Sequence, residues 1–141
     1  MKRKTVLPLV LLVCATVSLC CRAAGWKSDE AFAYPDVRSF SSSTAAKRAC
    51  RVPEEVVENM TTRALAETVM TYPYLIDMYA FDHPDLWFQG FKNLPMVKEL
   101  CARPDGLAAL RAEVLKAIEA ENDDLYDYLN LIGCIERAAQ Q

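Results

Sequence analysis

Apolar and polar residues alternate along most of this chain at helical spacing. Leu65, Ala66, Val69 and Met70 form one stripe at three- and four-residue intervals, the period that places side chains on one face of an α-helix. Met96, Val97, Leu100 and Cys101 form a second stripe, and Leu107, Leu110, Val114 and Ile118 a third. Arg111, Glu113, Lys116 and Glu119 fall outside the third, which makes it the clearest amphipathic helix in the sequence. A last helix carries Leu125, Tyr128, Leu129, Ile132 and Ile135 on one side, and Val56, Val57 and Met60 give a short first one.

The breaks between these stripes carry helix punctuation. Pro53 suits the first turn of a helix, and Glu54 and Glu55 favour its positive end. Thr61 and Thr62 can cap the next, which stops at Pro73 because Tyr72 is pushed out of the helical region. Asp82, His83, Pro84 and Asp85 read as a further start, with Asp82 as cap and Asp85 answering it. Gly90 or Asn93 ends that helix and Pro95 opens another. Arg103, Pro104, Asp105 and Gly106 make a turn, and Asn122, Asp123 and Asp124 a later break and cap. Residues 74–81 could be a buried strand or a helix. Helix is preferred, since no second strand pattern exists to satisfy a lone strand's backbone. The pattern predicts an all-α array of six or seven short helices over residues 52–137, and the scarcity of glycine agrees.

Aromatic residues concentrate in the middle of that array. Residues 72–91 hold seven of the thirteen in the chain: Tyr72, Tyr74, Tyr79, Phe81, Trp87, Phe88 and Phe91. Such side chains bring the most apolar area per residue, so a small domain centres its core on them. A groove for a partner is the competing use, with Tyr72, Tyr74, Tyr79, Trp87 and Phe88 as its candidate lining.

The start of the chain has a different composition. Lys2, Arg3 and Lys4 precede an apolar run over residues 6–19, and small residues follow. This is the pattern of a secretory signal peptide, residues 1–23, with cleavage after Ala23. Lipid attachment at Cys20 or Cys21 competes with it, but Leu19 precedes Cys20 and Ser18 stands three residues before Cys21, a poor fit to a lipidation motif. Residues 24–51 are rich in Ser and Ala without apolar periodicity, and read as a mostly disordered tether. Trp26, Phe32 and Tyr34 are scattered through it, and one of them could fold back as an anchor.

Loss of the leader leaves 12 basic against 19 acidic residues, a net charge near −7. An acidic chain without a basic run has no means of holding a phosphate backbone, which excludes nucleic acid as a partner. Three cysteines remain, Cys50, Cys101 and Cys134. They are buried thiols, or two of them form a disulfide and leave one over. One histidine and no C-x-x-C pair exclude a structural zinc site, and no cofactor motif occurs.

The one polar cluster with catalytic potential is Asp77, Asp82, His83 and Asp85. His83 could act as a general base oriented by a carboxylate, or the group could take a metal. Helix capping explains the same residues with fewer assumptions. No nucleophile motif accompanies them.

Arg51, Val52, Pro53, Glu54 and Glu55, then Met60, Thr61 and Thr62, then Leu65 to Val69, and the run Tyr72, Pro73, Tyr74, Leu75, Ile76 and Asp77 together resemble a recurrent phrase. It is similar to that of a family of secreted bacterial proteins of unknown function, of the type "IPEE…MST…LVETVLNYPYLIDLFAY". Gly90, Phe91, Leu94, Glu99, Leu100, Arg103 and Asp105 resemble the family's next portion, and Cys50 stands where many members have a cysteine. Asn93, Leu94 and Pro95 depart from its usual turn. The resemblance implies export, a bacterial source and a helical module, with no activity or site residue to carry over. The sequence thus predicts a secreted, non-catalytic helical module that binds a protein, peptide or glycan. A small hydrolase or metal-dependent enzyme built on His83 is the alternative.

Overall fold

The computed structural model describes residues 27–75, 77, 84–120 and 125–139, with backbone alone at 84–85, 125–126 and 138–139. The described residues form seven α-helices: α1 (Ser43–Ala49), α2 (Glu54–Glu58), α3 (Thr62–Met70), α4 (Pro84–Phe91), α5 (Pro95–Ala102), α6 (Gly106–Glu119) and α7 (Leu125–Ala139). Six lie within the stretch where the pattern predicts six or seven. A short 3-10 turn, Val37–Ser39, precedes α1. The only extended pairing among the described residues is an isolated bridge between Ser28 and Met60. No described helix is long and apolar enough to cross a membrane.

Local chemistry sets the helix ends. The Thr61 hydroxyl accepts from the Ala64 N–H at 3.2 Å and starts α3. Pro95 occupies the first turn of α5, where its missing N–H costs nothing. Helix α3 is the centre of the array and packs on both α5 and α6. Helix α7 lies against α4, α5 and α6, and α2 rests on α5. Leu65, Val69, Met96, Leu100, Leu110 and Leu131 are fully buried where these helices meet.

Residues 27–50 differ from the expected tether. The Ser28 N–H donates to the Asn59 carbonyl at 2.5 Å, and the Thr61 N–H donates back to Ser28 at 2.8 Å. The Phe32 N–H donates to the buried Thr68 hydroxyl at 2.9 Å, and the Tyr34 hydroxyl donates to the Thr68 carbonyl, also at 2.9 Å. Phe32 and Tyr34 pack on the core, and Ser42 caps α1 through the Ala45 N–H. Docking of two aromatics plus satisfied backbone groups offsets the ordering entropy that composition alone leaves uncompensated.

The two long helices also differ in phase from the expected stripes. Glu113, expected outside, is buried, and Lys116 Nζ stands 2.6 Å from its carboxylate. Ile118 and Leu129, expected inside, are exposed. Helix α6 buries Leu110, Glu113 and Val114, and α7 buries Tyr128, Leu131, Cys134 and Ile135. Leu110, Val114, Tyr128 and Ile135 are buried as expected, and the rest of each wedge is set by the neighbours, α3, α5 and α7 for α6 and α4, α5 and α6 for α7.

Candidate functional site

Pro73 ends α3 and turns the chain. The Leu75 N–H donates to the Tyr72 carbonyl at 3.0 Å, and the Asp77 N–H to that of Tyr74 at 3.1 Å. The turn sets the Tyr72 and Tyr74 rings 5.8 Å apart. Tyr72 also meets Phe91 at 5.6 Å and the edge of Tyr34 at 5.7 Å. Trp87 stacks on Phe91, with centroids 4.3 Å apart and 21° between planes. A groove of about 480 Å³ opens along these rings, lined by Tyr72, Tyr74, Trp87, Gly90, Phe91 and Leu94. Lys47, Asp77 and Leu86 complete its border.

The border carries one ion pair. Lys47 Nζ lies 3.0 Å from an Asp77 carboxylate oxygen and 5.0 Å from the centre of the Tyr74 ring. Both partners are partly exposed, so the pair adds at most about 1 kcal/mol to stability. Its effect is positional, because it pins α1 to residues 74–77 and covers one face of Tyr74. On the opposite side, Leu86 stands 58% exposed.

Burial acts on the tyrosines. It pushes the Tyr72 hydroxyl up to about 12, helped by nearby Cys50, Tyr74 and Asp77, and raises Tyr34 further. An unfolded tyrosine titrates near ~10. The folded state therefore holds its protons longer, and stability is full below about pH 10 and falls as pH rises through about 12. Tyr72→Phe is expected to lessen this alkaline loss while Tyr34 keeps its own share, read as denaturant midpoints on either side of about pH 10. An unchanged pH slope in the variant would place the alkaline sensitivity elsewhere.

The candidate residues from sequence divide among several places. Tyr72, Tyr74 and Trp87 come together in the groove. Phe88 is buried beside Trp87 and Phe91, away from the lining. Tyr79, Asp82 and His83 lie outside the described residues, as do the leader, Cys20, Cys21 and the side chain of Asp85. Asp77 is engaged with Lys47. No three His, Cys, Asp or Glu side chains converge on a metal-sized site among the described residues. Cys50, Cys101 and Cys134 form no disulfide with one another, and burial raises the Cys50 and Cys101 thiols.

Lys47, Leu86 and Leu94 were not legible as site residues. Lys47 sits in the supposed tether, thirty residues from Asp77, and nothing in the sequence pairs them. The lining offers apolar surface and one charge pair, with no Ser, Cys or His among its described residues. It can hold a side chain. Compared with known proteins, the chain matches no family model, no curated protein and no solved structure.

Proposed function

We propose that this protein is a non-catalytic binding module, acting outside the cytoplasm, that grips an apolar side chain of a protein or peptide partner in the Tyr74–Trp87 groove. The observation that carries this reading is the groove itself. Three separated chain segments build it, and it leaves Leu86 58% exposed beside buried rings. Apolar pockets with a few polar groups at the edge suit a side-chain anchor. A glycan would need an open aromatic face. Trp87 gives one face to Phe91 and is buried, while Lys47 covers Tyr74. The peptide reading is therefore favoured over the glycan one. The basic-then-apolar leader and the resemblance to exported bacterial proteins support the location.

A random peptide library panned on the protein tests the reading. Enriched peptides are expected to share a large aliphatic or aromatic residue. Leu86→Asp and Tyr74→Ala are each expected to weaken the best peptide about tenfold or more, with helicity by circular dichroism unchanged. A glycan panel run beside it is expected to stay blank. Enrichment without a shared apolar position, or binding indifferent to both variants, would sink the proposal.

A further inference from the structure

Helix α1 reaches the groove only through Lys47. It is held far more lightly than α4 on the other side, whose Trp87, Phe88 and Phe91 are buried. Its seven residues bury only Ala46. Residues 41–44, at its start, are exposed. Just beyond its end the chain is anchored, because Cys50 and Val52 are fully buried. Its main neighbour is the Val37–Ser39 turn rather than another helix. Among the described residues, its one polar tie to the chain beyond residue 52 is the Lys47–Asp77 ion pair.

These observations fix how α1 can move. Helices of fewer than about 12 residues are marginal in water on their own. Once its packing is lost, α1 unravels rather than swinging out intact. One buried alanine and one partly exposed ion pair resist that opening weakly, and segments with few buried contacts open at a small part of the global unfolding free energy. The groove changes when this happens. The Lys47 ammonium lies 5.0 Å from the centre of the Tyr74 ring, so its departure bares that face. Trp87 keeps Phe91 on one of its own faces in both states, so opening adds apolar surface without making a platform of two open rings.

We propose that α1 is a lid on this groove, latched shut by the Lys47–Asp77 pair, and that the apolar side chain of a peptide binds the open form and takes the place of Lys47 on the Tyr74 ring. The proposal rests on the binding-module reading above. A closed lid lowers the apparent affinity by the fraction of molecules that are open. Loosening the latch therefore tightens binding, the reverse of what loss of a contact does.

Two variants and two measurements test this. Lys47→Ala removes latch and cover together and keeps a strong helix former in α1. Asp77→Asn removes only the charge that holds the lysine. In the peptide-free protein, the amides of α1 are expected to exchange hydrogen faster than those of α3. Each variant is expected to speed the α1 amides about threefold further and to leave α3 unchanged. Each is also expected to tighten the best peptide from the panned library about threefold. Saturating peptide is expected to speed α1 exchange, because it holds the lid open. Protection of α1 equal to that of α3, or α1 exchange indifferent to both variants, overturns the lid and makes α1 a fixed wall. Weaker peptide binding in both variants, or slower α1 exchange on adding peptide, overturns it too and makes the pair a contact for the partner. If panning enriches no apolar position, the binding-module reading fails, and exchange in the peptide-free protein still decides whether the pair is a latch.

Discussion

Replacing Arg103 by Met is expected to cost about 3 kcal/mol of folding stability. Arg103 follows α5, and its side chain is only 8% exposed. Its Nη1 donates to the Met60 carbonyl at 2.8 Å, and its Nη2 to the Val57 carbonyl at 3.3 Å. The Val57 carbonyl lies in the last turn of the five-residue α2 and already accepts from the Met60 N–H at 3.2 Å, while the Met60 carbonyl follows that helix. The guanidinium serves the Met60 carbonyl, adds a second donor at Val57 and sits at the negative end of the helix. Its Nε holds the Glu99 carboxylate at 2.9 Å. Met keeps most of the packing volume and removes the guanidinium donors, leaving the Met60 carbonyl and the Glu99 carboxylate without them. Glu99 is about a third exposed and regains water, so the estimate stays at the lower end for a broken buried pair. Arg103→Lys is expected to recover less than half, because an ammonium cannot span both carbonyls and Glu99. Urea unfolding of the three proteins measures this. A loss under about 1 kcal/mol for Arg103→Met would show that α2 is held by packing alone.

Phe91→Ala is expected to cost about 3–5 kcal/mol, the usual range for a buried phenylalanine. Phe91 is the hub of the aromatic cluster. It stacks on Trp87, meets Tyr72 at 5.6 Å and Phe88 at 6.3 Å. Truncation removes three ring contacts among the described residues together and leaves a cavity between α4 and the turn after α3. Tyr74→Ala in the groove lining is expected to cost about 1 kcal/mol, since the residue is only half-buried and loses, among the described residues, one ring contact and the Lys47 ammonium over its face. The contrast separates fold from recognition within one cluster. Denaturant midpoints at constant slope give both values. A Phe91→Ala loss as small as that of Tyr74→Ala would mean that the cluster does not hold α4 in place.

The helical architecture was legible because its punctuation is local. Thr61, Pro73, Pro95 and the turn at Asp105 act through neighbours a few residues away, and each marks a helix boundary. Residues 27–50 were not legible, because what orders them is remote. Ser28 pairs by its backbone with residues 59–61, and backbone pairing leaves no side-chain signature. Helix α1 buries only Ala46, too little to make a stripe. The phase of α6 and α7 escaped for a related reason. Two apolar seams on one helix blur the period, and only the neighbours decide which one is buried. At the groove the aromatic residues announced themselves by density, while Lys47 came from a segment with no visible tie to them.

The attachment at Thr68 has a consequence for the order of events as the chain is made. Its hydroxyl and carbonyl bind Phe32 and Tyr34 across sequence separations of 36 and 34 residues. Neither bond can form until α3 exists, and closing so long a loop before then has no compensating contact. The N-terminal segment must therefore wait, undocked, while the next forty residues emerge. Residue Ala23 lies five positions before the first pairing at Ser28. On the proposed export route, a processing enzyme meets this stretch as open chain, and removal of the leader leaves every bond that Ser28, Phe32 and Tyr34 later make.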